Sequence, residues 1–538
     1  NAIKAIDNRI IHYEGMNDQA DIDSRMYPSI ESMMETDRQN RGKPFFLCEY
    51  AHAMGNAIGN LEEYWDYIEN HSQRMIGGCI WDWVDQGLNK QGEPEDHFYF
   101  GGSFGDYPND NDFCINGIIT PDRRVTPKLL EVKKVYQYIG FKQTDTDKVE
   151  ILNKYTHLNL DGFYLEYTLM ENGIPVSEGT VDFPSVAPGG KIDETLPLSQ
   201  NMKDKDAEYF VNYEVKLKDA TIWAPKGHVV ASAQFALNDH QNAPAAFDAT
   251  SAEIKPLDMY MEGRRFLHAE NNTVRAKFDN RTGRLVSLRY GDREIIHGME
   301  GPGFNWYRSI NNDVRDWTDT PVEVKDFTYE LAPDGKSIRV VTDLEATVGS
   351  AKVPHRVEYT LYGNGIVDID ASFTPSEHSN LPRLALQTFL NPALENIEWY
   401  GRGPIENYQD RKNAANVGLY KSTVDNMREY YVRAQSMGGR TDVRWLTLTD
   451  NNGNGIRVTP VGTIDFTALH YTDPDLWNVK YGHDLDNIRR AEVVLNLDCV
   501  QRGLGNASCG PGPRPKYNID GGKTYSYSFR IEPTQTSK

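Results

Sequence analysis

Cysteine is scarce in this chain: five residues in 538 (Cys48, Cys79, Cys114, Cys499 and Cys509), far apart and with no C-x-x-C pair. That excludes a disulfide-framed scaffold and a cysteine-ligated zinc site, and free thiols favour a reducing compartment, the cytoplasm ahead of the periplasm. Positive charge is also short. Lys and Arg total 57 against 78 Asp and Glu, a net charge of −21. A field of that sign repels phosphate backbones and anionic lipid, so neither nucleic acid nor a membrane surface is an expected partner. No apolar run reaches the roughly 18 residues of a spanning helix. P-loop and H-E-x-x-H patterns are absent, as are internal repeats and low-complexity tracts. The chain opens on Asn1 instead of Met, without a charged region leading into an apolar one, and residues 1–7 read like the last turns of an amphipathic helix. The expectation is a piece of a longer polypeptide.

What is present is globular. Apolar residues make up 39% of the chain, enough core for about three to four folding units at this length. Residues 1–138 alternate short apolar runs with helical spacing. Arg9–Tyr13, the stretch ending Arg25-Met-Tyr27, Pro44–Glu49 and Gly77–Trp83 read as four strands. Residues 60–69 place apolar side chains at 61, 64, 65 and 68, a helical interval. Strand–helix–strand repetition implies parallel strands with crossover helices, and four of them fit half of an eight-stranded (β/α)8 barrel. A Gly/Asp/Asn-rich loop follows from Gly87 to about Arg124, then a helix over 127–138. After Phe141 the period becomes two. Asn172-Gly173 between alternating runs is a strong hairpin signal, and 139–237 reads as an immunoglobulin-like sandwich. Residues 238–254 look like a linker. From 255 to 538 strands follow one another with turns at Asn280–Gly283, Tyr290–Asp292, Pro333–Gly335 and Asn451–Gly453, the pattern of a second, larger all-β unit.

One segment carries chemistry. In Phe45-Phe-Leu-Cys-Glu-Tyr-Ala-His52 an apolar strand ends in a carboxylate, with Tyr50, His52 and Gly55 just beyond. Side chains at the carboxyl ends of barrel strands converge on the pocket, which is where Glu49 falls. A strand-end glutamate tied into a loop fits the spacing equally well. The next run ends Trp81-Asp82-Trp83, putting indoles at the same rim. Aromatic faces stack on the C–H surfaces of sugar rings, so a carboxylate beside tryptophan suggests a glycoside pocket; Trp83 as a core residue is the alternative. Asp82, Asp85, Asp106, Asp110 and Asp112 crowd the following loop, either as solvated or structural groups or as a cation site.

These segments resemble a known family. Cys48–Asn56, Gly77–Gln86, Gly101–Asp110 and Phe113–Gly117 are similar to the lacZ-type β-galactosidases of glycoside hydrolase family two. Trp399-Tyr-Gly-Arg-Gly-Pro-Ile-Glu-Asn-Tyr-Gln-Asp-Arg411 looks like the signature of that family's C-terminal domain. The resemblance implies the second half of a catalytic barrel, an immunoglobulin-like sandwich and a galactose-mutarotase-like β-supersandwich. It implies a retaining enzyme acting on terminal β-galactosides, with Glu49 as nucleophile, Tyr27 beside it, His52 helping to bind the sugar, and Trp81 as the floor under galactose. Phe113, through its carbonyl, and Asn116 match ligands of a sodium ion that touches the sugar hydroxyls. A homo-oligomer is also implied.

Two departures accompany the resemblance. The family's acid/base glutamate lies in an Asn-Glu pair, and that dipeptide occurs nowhere here; the magnesium ligands belong to the same upstream stretch. The expectation is therefore a C-terminal half that needs an N-terminal partner half. Cys509 falls where some members present tryptophan to the second sugar. Losing a flat aromatic there costs about 1 kcal/mol of stacking, and the alternative for Cys509 is a buried structural thiol. Competing readings are a non-catalytic complementation or scaffold half, and a relative directed at another β-glycoside. Asn271, Asn280 and Asn506 open N-x-S/T triplets that arise often by chance.

Overall fold

The computed structural model describes residues 2–39, 41–313 and 319–534. The protein is mostly β, with few helices. Near its start, β1 (Asp23–Met26), β2 (Phe45–Tyr50) and β3 (Met75–Ile80) lie side by side in that order, all parallel. Between them cross α1 (Ile30–Arg38) and α2 (Leu61–Asn70), and α3 (Pro127–Val135) packs against α2. Local sequence explains each start. The Ser29 hydroxyl accepts the Ser32 N–H at 3.2 Å, and Thr126, followed by Pro127, does the same for Leu129 at 3.2 Å. The helical spacing of α2 buries Leu61, Tyr64 and Tyr67 in one core with Phe45, Leu47 and Tyr50 of β2.

The sheet departs from the expectation at its first strand. Arg9–Tyr13 is not a strand; it contributes one parallel bridge, His12 to Ile22. Ile10 there is 74% exposed, so its alternation meets no packing surface among the described residues. Gly77–Trp83 does contribute a strand, β3, and a bridge from Val84 to Ile119 continues the parallel pairing beyond it. Residues 2–6 form turns, with the Asp7 N–H donating to the Ile3 carbonyl at 2.8 Å; Asn1 lies outside the described residues. The expected helix to Tyr138 ends at Val135. The three strands form an open sheet with β1 and β3 as edges. Around it Ile3, Ile6, Ile10, Tyr13, Met26 and Ile76 stand exposed, an apolar collection that monomeric surfaces normally avoid.

The remaining chain is β. Residues 139–236 build a three-stranded and a four-stranded sheet around Ile151, Leu165, Val211 and Tyr213. The hairpin at Asn172-Gly173 forms as expected, with φ of 50° and 82°, the left-handed values such a turn requires. No strand occupies 238–254. From Asp258 to Pro533 the described residues form two five-stranded sheets and one nine-stranded sheet over one continuous core. All four turn signals in this region fall between strands. Loops of this region, around 308–313, 406–411, 433–438 and 503–511, close over the carboxyl ends of β1–β3.

Candidate active site

The parallel pairing brings the carboxyl ends of the three strands together. The Tyr27 N–H, just past β1, donates to the Glu49 carbonyl at 2.8 Å. The Trp81 N–H donates to the Tyr50 carbonyl at 3.2 Å, and the Ala53 N–H to the Trp81 carbonyl at 2.8 Å. The Asp82 N–H then reaches the Asn116 carbonyl at 2.7 Å. Tyr27, Glu49, His52, Trp81, Phe113 and Asn116 are thereby gathered at one rim. The Tyr27 hydroxyl is in hydrogen-bonding reach of both the Glu49 carboxylate and the Cys509 thiol. Burial, then the bond to Glu49 and its charge, raise the Tyr27 pKa, so the phenol stays a proton donor to that carboxylate.

His52 is fully buried. Its ring stacks on Phe113 at 5.3 Å and meets Tyr27 edge-on at 5.8 Å. Nδ1 lies 2.8 Å from the Ser508 hydroxyl, while Nε2 is buried without a partner. Burial, and secondarily the Lys128 charge, bring its pKa down to about 4, so the ring is neutral at pH 7. Trp81 is 39% exposed. Trp83 is not core: it is 61% exposed. Cys509 is half-buried, not a sealed structural thiol. Burial, then the Glu49 charge, raise its pKa, with the Tyr27 bond opposing.

Among the described residues, the aspartates of the next loop form no cluster with metal-ligand spacing. Burial raises Asp82, against a 2.8 Å bond from Gln86. Asp85 accepts the Gly117 N–H at 2.8 Å; burial lifts it to about 6, with Lys128 opposing. Asp106 folds its own loop by accepting the Gly102 N–H at 2.9 Å, and Asp112 accepts from Asn311 at 2.9 Å. Among the described residues the one cluster with metal-ligand spacing is elsewhere, at Glu395, Asp425 and His470, and its members are engaged: Arg489 pairs with Asp425 at 2.7 Å and His470 with Glu395 at 2.8 Å. Nor do the N-x-S/T triplets stand free. The Asn506 amide is buried and donates to the Gly59 carbonyl at 2.9 Å, and Asn271 and Asn280 donate to backbone carbonyls.

Three features of this centre lie beyond sequence reasoning. Lys128 of α3 is buried, donating to the Ala53 and Gly117 carbonyls at 2.9 and 2.6 Å and so joining the His52 loop to the Asn116 loop. Burial draws its pKa to about 8, with Asp85 opposing. Second, the Trp399–Arg411 segment pins the loop after β2. Arg411 donates to the Ala57 carbonyl at 3.0 Å, Asn56 Oδ1 at 2.8 Å and Glu406 at 2.9 Å. Asp410 accepts the Leu504 and Gly505 N–H groups, each at 2.8 Å. Gly55 and Gly59 permit this approach: a Cβ at Gly55 would lie 2.0 Å from Asn311 Oδ1, and one at Gly59 2.0 Å from Asp410 Oδ2. Third, Ser508 enters from the far end of the chain.

Three family profiles match in series: the glycosyl hydrolases family 2 TIM barrel domain over residues 1–141, β-galactosidase domain 4 over 149–238, and the β-galactosidase small chain over 270–531. A β-galactosidase of Priestia megaterium is 33% identical over 547 residues, covering 98% of this chain and 52% of the relative. Those of Halalkalibacterium halodurans and Vibrio vulnificus CMCP6 are each 29% identical, covering 98% of this chain and 53% and 54% of their own lengths. The chain spans about half the length of the curated relatives it matches. With all three profiles in order and this agreement along nearly its whole length, the chain is similar throughout to glycosyl hydrolase family 2 sequences of the β-galactosidase type.

Proposed function

We propose that this chain is the C-terminal half of a retaining β-galactosidase, carrying the nucleophile while the acid/base glutamate comes from an N-terminal half. The observation that carries the reading is the gathering of Glu49, Tyr27, His52 and Trp81 at the open end of an incomplete parallel sheet. The exposed apolar side chains around β1 and β3 support a missing first half of a (β/α)8 barrel. On this reading residues 1–138 are the half barrel, 139–237 the sandwich, and 255–538 the β-supersandwich.

The chemistry follows from the residue types. A Glu49 oxygen attacks the anomeric carbon as the bond to the leaving oxygen breaks, and an acid on the other half, with its carboxyl roughly 5 Å away, protonates that oxygen. Water then cleaves the glycosyl–Glu49 ester, with the same partner acting as base. Tyr27 steadies Glu49 through its hydroxyl. Trp81 offers a flat face to the sugar, and neutral His52 directs a free ring nitrogen to a hydroxyl. The resemblance brings a sodium ion, and the residues fit in part: among the described residues Asn116 Oδ1 is buried and unpartnered, and the Phe113 carbonyl accepts only from the Asn116 amide at 3.1 Å. Two hard oxygens suit such a cation, which when bound would order the sugar hydroxyls; its remaining ligands, and those of magnesium, belong to the missing half. Cys509 faces the aglycone side, and a homo-oligomer completes the proposal.

The test is hydrolysis of an aryl β-galactoside by the chain alone and after mixing with the preceding polypeptide. Activity only on mixing, abolished by Glu49→Gln with the fold intact, is expected. Full activity of the chain alone would overturn the half-enzyme reading, and near-normal activity of the Glu49→Gln protein would remove Glu49 as nucleophile.

A further inference from the structure

His52 sits among β1–β3, yet among the described residues the only side chain that hydrogen-bonds it comes from 456 residues away. Its Nδ1 lies 2.8 Å from the Ser508 hydroxyl. The other nitrogen, Nε2, is buried and unpartnered. A buried polar atom in that state is costly unless a ligand satisfies it, and which nitrogen of an imidazole remains free is decided by the bond the other one makes. Ring stacking on Phe113 and the edge contact with Tyr27 set a plane but do not distinguish the two nitrogens. Ser508 does.

The hydroxyl is itself held in place. The Ser508 N–H donates to Asn312 Oδ1 at 3.2 Å, and Asn312 Nδ2 donates to the Leu504 and Gly505 carbonyls at 3.1 and 2.7 Å. Asn506 donates to the Gly59 carbonyl at 2.9 Å, and Asp410 clamps the N–H groups of Leu504 and Gly505. The loop is thus fixed to both the large β region and the segment that follows His52. A serine presented this rigidly makes a directional bond at little entropic cost.

We infer that Ser508 is a positioning residue: it sets the orientation of His52 so that Nε2 faces the sugar, which makes the last β region part of the active centre. This rests on the sugar-binding role proposed for His52, and the test separates the two. In the full-length protein, kcat/KM for an aryl β-galactoside is measured for Ser508→Ala, Ser508→Thr, His52→Asn and the Ser508→Ala/His52→Asn double variant, with thermal midpoints as folding controls. Expected are a loss of about tenfold for Ser508→Ala, recovery to within about threefold for Ser508→Thr, and less than a twofold further loss from Ser508→Ala once His52 is gone. An equal loss in both backgrounds, or a Ser508→Ala protein with ordinary kinetics, overturns the inference. Wild-type kinetics for His52→Asn would instead sink the role given to His52. Spectra of 15N-histidine-labelled protein then decide the positioning claim alone: Ser508→Ala should shift the His52 Nδ1 resonance, and an unmoved resonance refutes it.

Discussion

Removing the Arg411 guanidinium is the sharpest test of how the β region holds the loop behind the candidate nucleophile. Arg411 and Glu406 are both buried, 2.9 Å apart, and the same guanidinium reaches Asn56 Oδ1 and the Ala57 carbonyl. In Arg411→Met the Glu406 carboxylate keeps the Tyr431 and Tyr408 hydroxyls and the Gly438 N–H but loses its cation. Breaking one side of a buried ion pair costs about 3–5 kcal/mol. Three amides report on the loop: Asn56 N–H to Gln435 at 2.9 Å, Gly59 N–H to the Gly505 carbonyl at 3.1 Å, and Asn60 N–H to the Asp410 carbonyl at 2.9 Å. Since about 1.4 kcal/mol is tenfold, their hydrogen-exchange protection should fall a hundredfold or more. Amides of Leu165 and Val211, in the sandwich, should be unchanged. Adding Glu406→Gln should restore part of the loss, because the stranded charge is gone. Protection within threefold of wild type at 56–60 would refute the clamp.

Acid should act through His52. Its folded pKa near 4 lies below the usual 6.5, so the neutral ring's contribution is intact above pH 6.5 and is lost as pH falls from there through 4. The maximum loss is on the order of 3 kcal/mol. Unfolding midpoints of wild type and His52→Asn should therefore converge between pH 7 and 4, and parallel curves would contradict the shift. Cys509→Trp should restore a stacking face on the aglycone side. About 1 kcal/mol corresponds to roughly fivefold tighter inhibition by glucose as an acceptor, and an unchanged inhibition constant would remove position 509 from that subsite.

The sequence made the site's own strands legible because their chemistry is local. Glu49 ends an apolar run, Trp81 ends the next, and α2 and the Asn172-Gly173 hairpin carry unmistakable periods. Arg9–Tyr13 misled because alternation makes a strand only where a neighbour and a core face exist, and Ile10 has neither among the described residues. Lys128 was invisible since a lysine in an amphipathic helix reads as solvent-facing; only the two carbonyls converging on it explain its burial. Ser508 could not be found by spacing, as its partner is at the other end of the chain. The Trp399–Arg411 run was visible as a motif, but its role as a clamp emerges only from the contacts of Asp410 and Arg411 across the interface.

The central claim is that Glu49 forms the bond to the sugar. Full-length protein incubated with a 2-deoxy-2-fluoro-β-galactoside carrying an activated leaving group, digested and read by mass spectrometry, tests it directly. A fluorogalactosyl adduct on the peptide containing Glu49, absent from the Glu49→Gln protein, is the predicted result. An adduct on any other side chain would contradict the account.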